Sequence, residues 1–596
     1  MTYRAPLKDM LFVMKHLAGI DALAALPAFA DAGYETAQAV LEESAKFSET
    51  VLAPLNWEGD RNPSSFKDGK VSTTPGFKEA FKQFSAGGWQ SLQHPIEFGG
   101  QGLPKLIHAA CSEMVNSANM SFALCPLLTD GAVEALLTAG TPEQQATYIP
   151  KMIDGTWTGT MNLTEPQAGS DLAAVRTRAE PQADGSFKLF GTKIYITYGE
   201  HDMADNIVHL VLARVVGAPE GVKGISLFIC PKVLIQADGT PGLRNDVHCV
   251  SIEHKLGIKA SPTAVLQYGD HGGAEATLIG KENRGLETMF IMMNAARFGV
   301  GVQGIALAER AYQKAVGYAR DRVQSRPVDG SLDKAGAIIH HPDVRRMLMT
   351  MRAHTEGCRA MALVAASAFD AAHAHPDAEV RQQNQAFYEF QVPLIKGLST
   401  EMALEVASLG VQVHGGMGFI EETGAAQYLR DAKILTIYEG TTAIQANDLV
   451  GRKTARDGGQ VALAIAAQIE LTETALRARD SAACQTLARR LHAARGAFVD
   501  VVAFVCGHTK TEPNAVFAGS VPYLKLAGIV VAGWQMGRAL MVAEDQLLAG
   551  QDSAFMQAKI TTARFYGDHI LNQATALRDS IVEGSEAVTD MALEAF

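Results

Sequence analysis

The chain has 596 residues, which at roughly 150 residues per domain allows about three or four domains. Its 52 Lys and Arg stand against 64 Asp and Glu, a formal net charge of −12, so it has no general electrostatic pull toward nucleic acid or anionic membranes. A 47% hydrophobic fraction with 19% charged residues supplies a large packed core and excludes disorder as the main state.

Residues 1–155 read as an N-terminal helical domain. Apolar positions recur at spacings of three and four in Leu7, Met10, Leu11 and Met14, and again from Phe29 to Leu52. Lys8, Asp9 and Lys15 interrupt the first of these, so the opening segment lacks the uncharged core of a signal peptide. Residues 94–104 form a Gly/Pro loop between helices. The period changes at about 156. Lys188 to Thr197, Ile207 to Val216, Gly224 to Lys232 and Val247 to Ile258 are rich in β-branched and aromatic residues. Turn signals at Ala183-Asp184-Gly185 and Ala237-Asp238-Gly239 separate them. With no helix between them, they predict an antiparallel β-barrel or sandwich over 156–282 rather than a βαβ sheet.

Helical periodicity returns over 283–452, where Met289–Arg322, Asp343–His373 and Gln382–Val413 are long enough for a bundle. A linker at 454–460 leads into a further helical segment, so 453–596 reads as a C-terminal helical extension. The fold class is therefore α+β. The longest apolar stretch near the C-terminus, Leu526 to Trp534, falls well short of the about 20 residues of a membrane span. Cysteines 111, 125, 230, 249, 358, 484 and 506 show no CxxC spacing, which excludes a zinc ribbon and a dithiol site and fits a reducing compartment. No membrane span, a cytoplasmic location and no resident metal are the expectations.

Gly299-Val300-Gly301-Val302-Gln303-Gly304 matches GxGxxG, with Asp321 downstream, but it sits inside a helical pattern rather than after a strand, which points to close helix packing. His340-His341 reads as a loop, since no carboxylate or Cys cluster accompanies it and adjacent residues do not share a helix face. Thr164-Glu165-Pro166-Gln167-Ala168-Gly169-Ser170-Asp171 offers hydroxyls and backbone N–H groups suited to a phosphate or a polar heteroaromatic edge, or is an ordinary turn. Tyr438-Glu439-Gly440-Thr441-Thr442 ends a helical segment, Gln427 to Ile437. Its carboxylate is either solvated at a helix end or faces an apolar pocket as a base.

Taken in order, these segments resemble the acyl-CoA dehydrogenase family. The matching pieces are Leu163 to Asp171, Gly191-Thr192-Lys193-Ile194-Tyr195-Ile196-Thr197, Ala296-Arg297, Asp321-Arg322, Gln412-Val413-His414-Gly415-Gly416-Met417-Gly418-Phe419, Arg430 to Ile434 and Ile437 to Thr441. The resemblance covers about residues 40–452. The opening Tyr3 to Met10 and the long tail are similar to a subgroup with chains of about this length, which includes 3-(methylthio)propanoyl-CoA dehydrogenases.

The resemblance implies a helix–barrel–helix fold with FAD between the barrel and the second bundle. Met161, Leu163, Thr164, Gly169 and Ser170 would line the isoalloxazine and pyrophosphate side, and Tyr195, Ile196 and Thr197 the flavin face. Arg322, Gln324, Gln412, Val413, Gly415 and Gly416 would reach a partner subunit's FAD in a homodimer, and Thr441 and Thr442 the adenosine half. Asn294, Arg297, Ser170 and Gly440 are the implied acyl-CoA contacts. Glu439 is the implied base, with its own backbone N–H and a ribityl hydroxyl polarising the thioester carbonyl. No carboxylate occupies 291–296, where some members carry the base. Gln167 for Gly, Tyr195 for Trp and Ala443 for Gln depart from the common pattern.

The implied reaction is FAD-dependent α,β-dehydrogenation of an acyl-CoA to trans-2-enoyl-CoA within β-oxidation, with electron-transferring flavoprotein as acceptor. The expected substrate is 3-(methylthio)propanoyl-CoA or a short- to medium-chain acyl-CoA. The alternatives are a medium- or long-chain enzyme, an acyl-CoA oxidase, and a DNA-associated relative. From Lys453 to Phe596, 13 basic residues face 15 acidic ones, so the tail carries no basic stripe for the last of these.

Overall fold

The computed structural model describes residues 3–236 and 238–596, so Met1, Thr2 and the turn position Ala237 lie outside the described residues. Two units divide the chain. One holds 1–46, 104–117 and 300–596, and the other holds 47–103 and 118–299.

In the second unit, eight strands carry the barrel: β1 (Trp157–Asn162), β2 (Arg178–Pro181), β3 (Phe187–Thr197), β4 (Asn206–Val215), β5 (Ser226–Pro231), β6 (Val247–Ile252), β7 (Thr263–Tyr268) and β8 (Ala274–Ile279). Pairing runs from β3 to β8, β5, β4, β2 and back to β3, which closes a ring. β1 extends it from β4, and β7 then β6 extend it from β3. The expectation of purely antiparallel pairing needs one correction. β1 and β2 both pair parallel to β4; for β2 this follows because β3 carries the chain back between β2 and β4.

β4 is nearly continuous in apolar residues because both of its faces are buried. Val208, Leu210 and Leu212 pack with Ala132, Leu136, Ile149 and Met152. Val211 and Ala213 turn the other way, onto Leu189, Phe228 and Leu266. A hairpin, Ser65–Lys67 with Lys70–Ser72, lies within the segment expected to be helical. Its turn residues Asp68 and Gly69 are both left-handed, the conformation that favours Asp-Gly in a two-residue hairpin.

The first unit is helical. Its main elements are α1 (Leu7–His16), the start of α2 (Lys105–Ala139), most of α3 (Gly285–Asp321), α4 (Pro342–Ala374), α5 (Ala378–His414), α6 (Gln460–Arg477), α7 (Ala482–His508), α8 (Ser520–Leu548) and α9 (Ser553–Tyr566). The GxGxxG motif lies inside α3. A Cβ on Gly301 would stand 2.5 Å from Ile395, and one on Gly304 2.5 Å from the Ser399 carbonyl, so glycine is what lets α3 approach α5.

The C-terminal extension packs onto the same bundle. Gly397 faces Leu524, Gly528 faces Leu398, and the Thr454 and Tyr523 hydroxyls are 3.0 Å apart. Ile465 and Ile469 are buried, whereas Leu463 and Leu471 are exposed. The sequence also understates helix length. α2, α3 and α8 are long and apolar enough to cross a membrane by length and composition, with 78%, 67% and 83% of their most apolar windows buried inside the protein. Six of the cysteines are buried and Cys506 is exposed.

A buried charge network joins five helices of this unit. Arg359 of α4 donates to Glu113 of α2, to Glu309 of α3 at 2.7 Å and to Asp9 of α1 at 2.7 Å. Lys559 of α9 donates to Asp9 at 2.6 Å and to Glu356 at 2.7 Å. Burial alone would raise the Asp9 carboxyl, but Lys559 and Arg359 outweigh it and hold the group at about 2. Arg359→Met leaves Glu113 and Glu309 buried without their cation and Asp9 with Lys559 alone, a change that costs roughly 3–5 kcal/mol. We expect a clear fall in the holoenzyme's thermal midpoint, followed by scanning calorimetry with matched flavin loading.

Candidate active site

On the barrel, the Thr164 to Asp171 segment is tied to β3 by one ion pair. Lys193 donates to Glu165 at 2.8 Å and to the Leu163 carbonyl at 3.0 Å, and the Ile194 N–H donates to the Thr164 carbonyl at 3.0 Å. Glu165 also accepts from the Thr177 hydroxyl and N–H, the Arg176 N–H and the side chain of Gln167. Gln167, the departure noted in the sequence, thus fills an acceptor site of the buried carboxylate. Burial would raise Glu165, but Lys193 and these donors hold it at about 2. Burial brings Lys193 down to about 8 against the pull of Glu165. Neither residue stood among the expected site residues.

The two sequence motifs therefore form one continuous edge. Along it Met161, Leu163, Thr164 and Thr197 are partly buried, and Gly169 and Ser170 are exposed. Opposite Val265, β3 carries two residues, Ile194 and Tyr195, between the pairs Lys193–Leu266 and Ile196–Ala264. At this bulge Tyr195 takes φ +61°, and the residue is 60% exposed. Ile196 is buried in the barrel core, so its side chain is not a surface for the flavin and only its backbone remains at the edge. In the same unit Arg297 is buried and donates to Asn294 at 3.3 Å, while Asn294 is exposed.

In the helical unit, Glu439 sits at φ +57° and Gly440 at φ +90°. A non-glycine residue held there costs on the order of 1–3 kcal/mol and persists only where its surroundings enforce it. They do so from below. The fully buried Lys396 of α5 donates to the carbonyls of Leu435 at 2.8 Å and Gly440 at 2.7 Å. Tyr438 donates to Gln303, which donates to Asn116 of α2 at 3.1 Å. Burial first, then Glu439, pushes the Tyr438 hydroxyl's pKa up, so it stays a donor. Glu439 itself is half-buried. The preceding helix is shorter than expected, ending at Ala432 and followed by a 3-10 turn, Lys433–Thr436.

Thr441 caps the next helix by accepting from the Ile444 N–H, and the buried Thr442 donates to Glu401 at 2.6 Å, so both hydroxyls are engaged within the chain. At the far ends of α3 and α5, Tyr318 stacks on His414 with ring centroids 4.3 Å apart. Arg322, Gln324, Gln412, Gly415 and Gly416 are exposed there, but Val413 is buried and offers no side chain to a partner.

These surfaces suit a flavin dinucleotide. The barrel edge presents an exposed aromatic ring beside hydroxyls, and the Gly415–Gly416 step is bare, with nothing within 4 Å of an added Cβ at either position. Four family models match in series: the acyl-CoA dehydrogenase N-terminal domain over 34–156, its middle domain over 160–270, its C-terminal domain over 283–453, and an acetyl-CoA dehydrogenase C-terminal-like domain over 464–592. The chain belongs to the acyl-CoA dehydrogenase family, flavin-dependent oxidoreductases that use FAD.

It is 52% identical to a 3-methylmercaptopropionyl-CoA dehydrogenase of Ruegeria pomeroyi over the whole of both chains. It is 35% identical to a broad-specificity linear acyl-CoA dehydrogenase of Mycobacterium tuberculosis over 97% of each. In fold it is similar to an acyl-CoA dehydrogenase from Bacillus anthracis complexed with FAD, with TM-score 0.74, 20% identity, and 94% and 90% of the two chains covered.

The ion pair under the barrel edge gives a direct test. Lys193→Met strands Glu165 without its cation and frees the Leu163 carbonyl, so the flavin-to-protein ratio after gel filtration should fall. Adding Glu165→Gln should restore part of it, since the second change removes the unpaired charge.

Proposed function

We propose that the chain oxidises an acyl-CoA thioester at its α and β carbons to the trans-2-enoyl-CoA, with Glu439 as the base. Bound FAD supplies the hydride acceptor. The strained, half-buried Glu439 on a loop pinned by Lys396 and Tyr438 carries the assignment, because a base must be held in place before the substrate arrives. Its carboxylate takes the α-proton, and its N–H donates to the thioester carbonyl as charge develops there. Ser170, Asn294 and Gly440 contact the acyl-CoA in this reading. Arg297 supports Asn294 from a buried position.

The natural substrate is 3-(methylthio)propanoyl-CoA, a reading supported by the full-length 52% relative. A thioether is nearly apolar, so short to medium straight-chain acyl-CoAs are turned over too, with one methylene changing binding by about 1–3 kcal/mol. The linear-chain relative supports a medium- or long-chain optimum as the second reading. The electron acceptor is an electron-transferring flavoprotein in a cytoplasmic β-oxidation sequence.

The enzyme works as a homodimer. Met417, Phe419 and Ile420 are exposed next to Gly415 and Gly416, an apolar group that a partner subunit covers.

Glu439→Gln keeps the shape but cannot accept a proton, so flavin reduction by substrate in a stopped-flow instrument should slow by about 10²–10⁴-fold with FAD content unchanged. Comparing kcat/KM for butanoyl-, 3-(methylthio)propanoyl-, octanoyl- and hexadecanoyl-CoA should place the optimum at the second. An optimum at hexadecanoyl-CoA with no turnover of the first two would select the other reading. Phe419→Glu should shift light scattering from dimer toward monomer and lower the bound flavin.

A further inference from the structure

At one end of the barrel Asp246, His248 and His271 bring three donor atoms within 4.8 Å of one another. We propose that they form a binding site for a borderline divalent metal ion of the zinc type, which clasps β6 to the turn between β7 and β8. Nε2 of His248 lies 3.2 Å from Oδ1 of Asp246, and Nδ1 of His271 lies 3.1 Å from the same oxygen. Two ligands each about 2.1 Å from a common ion, at angles between a right angle and the tetrahedral value, are separated by about 3.0–3.4 Å. Each ring nitrogen therefore already stands at ligand spacing from the carboxylate oxygen, and the ion replaces two ring N–H donations to that oxygen.

The carboxylate is fixed in advance. Its other oxygen accepts from the N–H groups of His271 at 2.7 Å and Gly273 at 3.0 Å. The neighbouring Asn245 is locked to the Pro231 and Glu275 carbonyls and accepts from the Glu275 N–H. Asp246 is mostly buried. Burial would raise its carboxyl, but the two backbone donors and the two histidines keep it below the usual carboxylate range. The histidines are open to solvent, with 39% and 75% of their side chains exposed, so an ion can enter and water can complete its shell. Two imidazoles and one carboxylate are a donor set for zinc rather than for magnesium or calcium, which prefer oxygen alone.

The clasp has something to hold. The β7–β8 turn contains Gly269, Gly272 and Gly273, all at positive φ, and β6 is the outermost strand of its sheet. The site is also remote from the flavin edge along β3. Tyr268, next to the turn, pairs with Gly191, whereas Thr263 pairs with Thr197, six residues or about 20 Å further along the strand. Metal binding is thus separable from flavin binding.

The test uses the FAD-loaded enzyme, stripped of metal by a chelator and titrated with zinc alone by calorimetry. The expected result is one ion per chain and a thermal midpoint that rises with zinc. In His271→Ala and in His248→Ala, zinc affinity should fall by at least about tenfold, with flavin content and the zinc-free midpoint unchanged. Asp246→Asn should do the same. If its loss of turn contacts prevents folding, the two histidine variants decide. Zinc binding that persists in both histidine variants, or no stoichiometric binding by the parent enzyme, overturns the proposal.

Discussion

The arrangement of the helical unit depends on a single guanidinium. Arg359 is fully buried, and an isolated buried cation would be prohibitive, so its position is tolerable only while Asp9, Glu113 and Glu309 surround it. Each acid comes from a different helix, which fixes the register of α1, α2 and α3 against α4. Lys559 repeats the device one layer out, sharing Asp9 with Arg359 and pairing Glu356 as well. Apolar packing supplies the bulk of the stability, but it tolerates sliding. A charge network with every member engaged does not.

The same logic holds the two segments proposed for the site. Neither the barrel edge nor the Glu439 loop is held by the residues proposed to do chemistry. Lys193 under the barrel edge and Lys396 under the Glu439 loop each spend a buried ammonium on main-chain carbonyls. The side chains proposed to act are then presented on backbone held in unusual conformations, the exposed Tyr195 at a bulge and the half-buried Glu439 in the left-handed region.

Much of this was legible in the sequence. The switch from helical to alternating periodicity located the barrel, and the order of short motifs identified the family. The GxGxxG match was rightly discounted, because the residues around it kept a helical period. Other features were hidden for physical reasons. Parallel pairing of β1 and β2 with β4 is a matter of path, and no local pattern records it. Ile196 and Val413 lie within motifs, but their burial depends on which way a bulge or a helix end turns them. The two lysines left a faint signal. Lys396 is flanked by Ile395 and Gly397 in an apolar run, and Lys193 falls on a strand position facing the interior. A cation in such a place implies a buried acceptor, yet the sequence does not say which one. The Asp68-Gly69 hairpin was readable and was lost in a mostly helical context.

The bond between Asp9 and Lys559 spans 550 residues of sequence. On the ribosome, α1 emerges long before α9. At about 5–20 residues per second that interval is roughly half a minute to two minutes. Throughout it Asp9 has no cation from α9, and α1 cannot take its final place until α9 has been made. The barrel has no such debt, since its strands all lie between Trp157 and Ile279. It is free to close while the rest of the chain is still being made, whereas the helical unit closes late.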